Sequence, residues 1–420
     1  MKKKTTRVIR VILITVTTLV LTTLMLGSVS ISAQSTSNRL EINEVSEVDR
    51  VDEIELDDYP EAQLDDPTEE RTKRFRGDSS SESRDFCIAC FGKSAFGSNT
   101  QSISIMQFIS PEIIGLVLGS FIISLIRKEF RTKGGSAPLA RFVLGFLIMV
   151  SASVFMGCPL GMILRIAAGD LNAVIGFIGF ALGVFIGVQF LKRGFFLGRY
   201  HFYEKNSLKG MILPISQIVL LIVLLVGGLS ASSGMNFETA GGSSIWFVLL
   251  VAFILGVGAQ ITRLCQVGSL RDLFMIGDHH LLQVSSVFFI LVLGFNLITN
   301  KFNLGFIGQP MAHSQWFWNF FPMVSVGLGS TLVGGCPTRQ LVLVGTGDTD
   351  AAITVLGVLA GTAFAHSFGV ASSSEVIQEG IRISGGVTTG GQVASVISLA
   401  IILLFAFSYS SKRKSKNSTP

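Results

Sequence analysis

One stretch of the sequence occurs twice: Gly157-Cys158-Pro159 running to Gly169-Asp170, and Gly335-Cys336-Pro337 running to Gly347-Asp348. The two copies lie 178 residues apart. The same offset matches four further pairs, which are Ala173 with Ala351, Gly179 with Gly357, Gly183 with Gly361, and Phe190 with Phe368. Agreement at this many positions indicates an internal repeat.

Each copy is predicted to form a half-helix. Proline suits the first helical position, so the cysteine before it lies where a short helix begins. The Gly-Asp turn ends that helix, and Asp170 or Asp348 can cap the next one. About ten residues of helix span about 15 Å, against a hydrocarbon core of about 30 Å. The amide dipoles at each helix start are therefore directed at a thiol within the membrane.

Composition places the chain among integral membrane proteins. Of its 420 residues, 49% are hydrophobic and 15% are charged, and its apolar runs approach the length of about twenty residues that a membrane-spanning helix needs. The net charge is +5, but 14 of the 28 acidic residues lie in 41–70, so the remainder is basic. Basic residues here indicate membrane loops rather than a nucleic-acid partner. The sequence contains no Gly-x-x-x-x-Gly-Lys-Ser/Thr motif, which disfavours ATP-driven pumping.

Ten apolar segments are predicted to be helices that cross the bilayer, which makes the fold all-α and polytopic. They are about 11–33, 108–126, 139–156, 171–191, 211–230, 245–260, 281–299, 316–334, 350–370 and 391–410. The first segment fits a signal peptide or a first span, and its length favours a retained helix. If the N-terminus is cytoplasmic, the basic loops and the basic tail all fall inside. We therefore expect a multi-pass protein of the plasma (inner) membrane with both termini cytoplasmic.

A second match, at an offset of 175, relates 116–119 to 291–294 and Cys90 to Cys265. Five predicted spans separate corresponding segments, and this odd number makes the two copies inverted. Inverted repeats with short, interrupted segments predict a transport site near the bilayer midplane. The predicted parts are an N-terminal transmembrane helix or signal anchor (1–33), an acidic, disordered extracytoplasmic linker (34–85), a first transport repeat (86–210), connecting helices (211–260), a second, inverted transport repeat (261–370), a C-terminal loop and helix (371–410) and a basic cytoplasmic tail (411–420).

The cysteines suggest which cargo this site takes. A thiol at a helix start lies among N–H groups that favour anions, and its sulfur is soft and polarisable. A small anion carrying sulfur or selenium would find both features at each half-helix. A buried cysteine is more often a packing residue, but two at equivalent Gly-Cys-Pro turns favour function, whereas Cys265 leaves the two readings even. The candidate pathway residues are Cys158, Cys336, Cys265, Arg339, Cys90, Gly157, Pro159, Gly335, Pro337 and Arg165.

Cys87 and Cys90 form a Cys-x-x-Cys pair that is able to bridge, to bind a metal or to do redox chemistry. The five histidines are scattered, so no metal site is predicted. The sequence predicts no catalytic residue and no cofactor.

These motifs resemble the YeeE/YedE family of sulfur-compound transporters, whose third cysteine motif is similar to 263–272. Further stretches resemble the YedE branch associated with selenium transport, and they are 87–91, 111–119, 134–138, 169–173 and 190–195. The likeness covers roughly 86–410. It implies an hourglass-like helical pore in which thiols, by position Cys158, Cys265 and Cys336, hand an anion such as thiosulfate along through weak S–H···S hydrogen bonds.

The first copy departs from the family pattern of an arginine two residues after the proline. Arg339 fits this pattern in the second copy, but the first copy has Gly161. Arg165, one helical turn further on, is then the candidate for supplying the charge. The acidic insert 34–85 is a second departure, because relatives have a short link there.

We therefore predict a membrane permease, not an enzyme, that imports a small selenium- or sulfur-containing anion through a cysteine-lined pore for selenium metabolism. Its expected partners are the anion, the lipid bilayer and a cytoplasmic sulfur- or selenium-carrier protein. A thiosulfate importer is the alternative within transport. A membrane thiol oxidoreductase or sulfurtransferase using Cys87 and Cys90 is the alternative from another class, and a structural or assembly subunit is the third.

Overall fold

The computed structural model describes residues 111–198, 201–202, 207–230, 245–306, 309, 312–373, 376–378, 381–383 and 385–416. The predicted first span, the acidic linker, Cys87 and Cys90 lie outside these residues. The described helices are α1 (Pro111–Ile126), α2 (Pro138–Phe155), α3 (Pro159–Ala167), α4 (Leu171–Lys192), α5 (Ser207–Ser230), α6 (Ile245–Thr262), α7 (Gln266–Ile276), α8 (His280–Ile298), α9 (Trp316–Val333), α10 (Pro337–Gly345), α11 (Thr349–Ser367) and α12 (Thr389–Lys416).

Strands are few in the described part of the chain. Lys133–Gly134 (β1) pairs with His201–Phe202 (β2), and Val376–Gln378 (β3) pairs with Ile381–Ile383 (β4), both antiparallel. These pairs lie in connections between helices, so the fold is mostly helical.

Each predicted apolar segment from 108 onward coincides with a helix, and the ends differ by a few residues. Seven described helical segments are long and apolar enough to cross a membrane, and they are Pro138–Ala167, Leu171–Lys192, Trp246–Ile276, His280–Ile298, Trp316–Gly345, Thr349–Ser367 and Thr389–Ser410. Two further apolar helices, Glu112–Ile126 and Gly210–Ile222, are shorter. A protein with membrane-spanning helices is therefore confirmed, and the total of ten stays a prediction.

Glycines bring the helices of the two copies into close contact in matched pairs. A Cβ on Gly179 or Gly183 of α4 would overlap the main-chain carbonyls of Phe320 or Val324 in α9. The repeat-equivalent contacts are also present. Gly357 and Gly361 of α11, which correspond to Gly179 and Gly183, lie against the carbonyls of Phe142 and Phe146 in α2. Phe142 and Phe146 correspond to Phe320 and Val324. Because glycine has no side chain, the two helix backbones can approach closely, as in many membrane helix pairs. Each copy is therefore packed against the other.

The same contacts give the direction of each helix pair. Residue numbers rise together from the Gly179 contact to the Gly183 contact along both α4 and α9, so these helices run parallel. The two contacts of α11 with α2 rise together in the same way. Helix α1 is parallel to α6, because Gly115 contacts Ala252 and Gly119 contacts Phe253.

The end of each half-helix is bound to a loop from the other copy. The N–H groups of Arg131 and Lys133 donate to the carbonyls of Thr346 and Gly347 at the end of α10, at 3.2 and 3.4 Å. The N–H groups of Asn303 and Gly305 donate to the carbonyls of Ala168 and Gly169 at the end of α3, at 2.9 and 3.1 Å. These links fix both half-helices against the scaffold.

Burial separates central helices from peripheral ones. Most of α2 and α9 is buried inside the protein, whereas α8 and α12 expose large apolar side chains such as Ile290, Leu297, Leu404 and Phe407. A helix that is apolar on its outer face suits a lipid environment. The half-helices α3 and α10 follow the central helices directly.

Candidate functional site

Three short helices in the described structure begin immediately after a cysteine. Cys158 is the N-cap of α3, Cys265 of α7 and Cys336 of α10. The sulfur of Cys158 accepts a hydrogen bond from the N–H of Gly161 at 3.5 Å, and that of Cys265 accepts one from Gly268 at 3.3 Å. The prediction that Cys158 and Cys336 lie at helix starts is confirmed, and Cys265 occupies the same position without a following proline.

Local turns explain why the chain breaks before each Gly-Cys-Pro cysteine. Met156 and Gly334, equivalent under the 178 offset, end α2 and α9 with φ of 65° and 97°. The following N–H groups, of Gly157 and Gly335, donate to the carbonyls of Ala152 and Ser330 at 3.0 and 2.9 Å. Left-handed backbone at the C-cap is a common way to end a helix. It is costly for a non-glycine residue such as Met156.

Further downstream, left-handed glycines and aspartate caps complete each half-helix. Gly169 and Gly347 have φ of 99° and 88°, which L side chains rarely adopt. Asp170 accepts from the N–H of Asn172 at 2.8 Å, so it caps α4. Asp348 caps α11 through the N–H groups of residues 350 and 351 at 3.0 and 3.1 Å. Both predicted caps are therefore confirmed.

The space around Gly157 and Gly335 does not itself require glycine at these positions. A Cβ on Gly157 would lie 3.5 Å from the Phe155 ring, which is ordinary contact, and one on Gly335 would lie 3.3 Å from the Arg339 side chain, which is tight. Pro159 and Pro337 are buried at the first helical positions that the sequence predicts.

The three thiols lie in one buried core. Cys158, Cys265 and Cys336 are 1%, 7% and 2% exposed, and none of them forms a disulfide. The side chains of Cys265 and Cys336 line the same small cavity, and Cys158 belongs to the same hydrophobic core. Cysteines that are far apart in sequence thus meet where the half-helices begin. Cys90 lies outside the described residues.

A cavity of about 10 Å³ lies beside the Cys265–Cys336 pair. Its lining residues are Leu116, Leu160, Leu255, Ala259, Leu264, Cys265, Gln266, Cys336 and Thr338. This volume is about what one water molecule needs. In this conformation the space beside the thiols is therefore too small for a larger anion.

Two polar side chains in this lining were missed by sequence reasoning. Gln266 and Thr338 are 5% and 7% exposed, and Gln266 Nε2 and Thr338 Oγ1 make no hydrogen bond in the structure. Both residues lie in the first turn of a cysteine-capped helix. Apart from lying one and two residues after a cysteine, they have no feature in the sequence that marks them.

Arg339 lies on the same side of the cluster as Cys265. Its guanidinium donates to the carbonyl of Ala259 at 3.4 Å and to Gln260 Oε1 at 3.3 Å. Gln260 in turn donates to Glu129 at 3.2 Å. Arg339 acts electrostatically on both Cys265 and Cys336, and no described carboxylate lies within 4.0 Å of it. The Glu129 carboxylate also acts on Arg339, so the positive charge of Arg339 is shared between the thiols and Glu129.

Arg165 has a different environment. Its guanidinium binds Asp170 at 2.7 and 2.8 Å, donates to the carbonyl of Phe155 at 3.3 Å and lies over the Phe155 ring. Both members of the ion pair are buried, and Arg165 does not line the cavity. The structure therefore assigns its charge to Asp170.

A family model described as Sulphur transport matches residues 261–420, which contain Cys265, Cys336 and Arg339. A search of curated proteins finds no match. The matched range is less than half of the chain, and it includes the second copy but not the first. Over this range the chain is similar to sulphur-transport proteins, and its apolar helices agree with a membrane transporter of sulfur compounds.

Proposed function

We propose that the protein is a permease that imports a small selenium- or sulfur-containing anion through a pathway lined by Cys158, Cys265 and Cys336. The observation that carries this proposal is the meeting of three buried, unbridged thiols, each at the start of a short helix. Helix packing alone requires neither the repeated turns nor thiols at all three starts. The Sulphur transport match over 261–420 supports the same class of cargo.

The site suits transient binding of a soft anion. Helix N-termini and the Arg339 guanidinium lower the cost of bringing negative charge into the membrane, because their dipoles and charge are already in place. Cysteine side chains offer weak hydrogen bonds and polarisable contacts to sulfur or selenium. A pathway conducts when its sites attract the cargo without retaining it. Weak contacts passed from one thiol to the next meet this condition.

The closed cavity means that transport requires movement. An anion larger than a water molecule passes only when the side chains around the Cys265–Cys336 pair separate. Leu160, Leu255 and Leu264 line this space and are the apolar part of the barrier. The half-helices, which are bound to loops of the other copy, provide the rigid frame for this opening.

The parallel helix pairs support the predicted topology. In the predicted topology α1, α6, α4 and α9 run toward the cytoplasm, and α2 and α11 run away from it. The two helices of each packed pair therefore run in the same direction, as their contacts require. In the proposed arrangement the copies are inverted in the plasma membrane, both termini are cytoplasmic, and a cytoplasmic carrier protein receives the cargo. Cys158 is then reached from outside, and Cys265 and Cys336 from inside.

Thiosulfate import is the second candidate, and the description of the matched family favours it. An uptake-deficient host expressing the chain separates the two candidates when uptake of labelled selenite, selenate, thiosulfate and sulfate is compared. We expect the wild type to take up selenite or thiosulfate, and Cys158→Ser or Cys336→Ser to abolish uptake at unchanged protein abundance. The matched control is Cys87→Ser, because Cys87 is not a candidate pathway residue and a permease tolerates its loss. Loss of function through Cys87 alone would favour the oxidoreductase alternative.

A further inference from the structure

Gln266 and Thr338 are polar side chains in an otherwise apolar and thiol-lined constriction. Each lies beside a pathway cysteine, at the first turns of α7 and α10. Both are more than nine-tenths buried, and both line the cavity. Their Nε2 and Oγ1 atoms have no hydrogen-bond partner in the structure.

Leaving such groups unpaired is costly. A buried polar group without a partner loses its hydration and gains nothing in exchange. The Nε2 group only donates, and a threonine hydroxyl both donates and accepts. Packing would be served equally well by methionine or valine at these positions. The groups therefore indicate a ligand that brings acceptor atoms into the constriction.

We infer that Gln266 and Thr338 bind the oxygen atoms of the cargo, so that the site selects sulfur or selenium oxyanions over anions without oxygen, such as hydrosulfide. The inference rests on the proposed function. The thiols of Cys265 and Cys336 contact the soft atom, while Nε2 and Oγ1 donate to oxygen. Arg339, the residue after Thr338 in the first turn of α10, compensates the charge. One ligand thereby gives both unpaired donors of the lining a partner.

The test is the concentration dependence of labelled thiosulfate and selenite uptake in three variants. Thr338→Val and Gln266→Met keep side-chain volume and remove the donors. Each is expected to raise the half-saturation concentration about tenfold, the loss typical of a hydrogen bond to a charged group. Maximal uptake per molecule should change less. Thr338→Ser, the matched control, keeps the hydroxyl and should remain within about twofold of the wild type.

The possible outcomes separate the inference from the proposed function. Unchanged half-saturation in both Thr338→Val and Gln266→Met, with normal wild-type uptake, overturns the inference and leaves the permease in place. A merely structural role would lower abundance and maximal uptake without changing half-saturation, and this also overturns it. A wild type that takes up neither anion overturns both proposals.

Discussion

Two arginines follow the cysteines of the half-helices, and they differ in what compensates their charge. Arg165 is bound to Asp170 within a buried ion pair, whereas Arg339 faces amide and carbonyl oxygens beside two thiols. Both were predicted as pathway residues from their distance to a cysteine. Sequence spacing places both near the cluster, but only the folded chain shows which one is already paired.

Breaking the Arg165 pair is expected to destabilise the protein. Arg165→Met leaves the Asp170 carboxylate buried without its partner, which typically costs about 3–5 kcal/mol. Thermal unfolding of the purified protein in detergent should show a clear drop in the midpoint. The matched control is Arg271→Met, because the Arg271–Asp272 pair is partly exposed and such pairs contribute about 1 kcal/mol or less. Equal effects of the two substitutions would contradict the structural role assigned to Arg165.

Local signals explain which site residues the sequence could identify. Proline after Cys158 and Cys336, and glycine before the capping aspartates, are short-range features, and the helix starts they predict are observed. Gln266 and Thr338 carry no such signal, because their importance depends on burial and on missing partners. Those properties come from the contacts between distant helices.

At the level of elements, glycine determines how the helices pair. Gly183 lies against the Val324 carbonyl and Gly361 against the Phe146 carbonyl, and the two contacts are equivalent under the repeat. The sequence shows that these glycines are repeated. It does not show which helix each one faces, since a glycine at a lipid surface and a glycine at a helix contact look alike in sequence.

Gly183→Ala is therefore expected to destabilise the α4–α9 contact. The added methyl group overlaps main-chain atoms that cannot rotate away, and overpacking of this kind costs about 1–3 kcal/mol. Gly294→Ala in α8 is the control, because no atom lies within 4 Å of the added Cβ and alanine is the better helix former. Thermal midpoints in detergent should fall for the first variant and stay level or rise for the second. A midpoint unchanged by Gly183→Ala would show that the contact is looser than described.

At the level of the whole molecule, the two copies of the repeat pack together through pairs of parallel helices, one helix from each copy. The helices and their order follow from apolar length and were predicted well from the sequence. The gathering of the three cysteines in one core was only implied, because it needs the cross-copy contacts. The number of spans and the orientation in the membrane stay predictions.

Orientation is tested by labelling with a membrane-impermeant maleimide in intact cells. Arg127 and Lys301 are both exposed, and they lie in loops predicted on opposite faces. In a Cys87→Ser/Cys90→Ser background, Lys301→Cys should be labelled from outside, and Arg127→Cys only after permeabilisation. Labelling of both positions from the same side would contradict the inverted arrangement.

The central claim is that this protein transports the anion past its own thiols and needs no other protein to do so. The measurement that tests it most directly is the initial rate of labelled thiosulfate and selenite uptake by proteoliposomes containing the purified protein. We expect saturable uptake by the wild type that falls at least about tenfold in Cys336→Ser, although serine is similar in size and is favoured at the N-cap position. Uptake by Cys336→Ser at the wild-type rate would contradict the account.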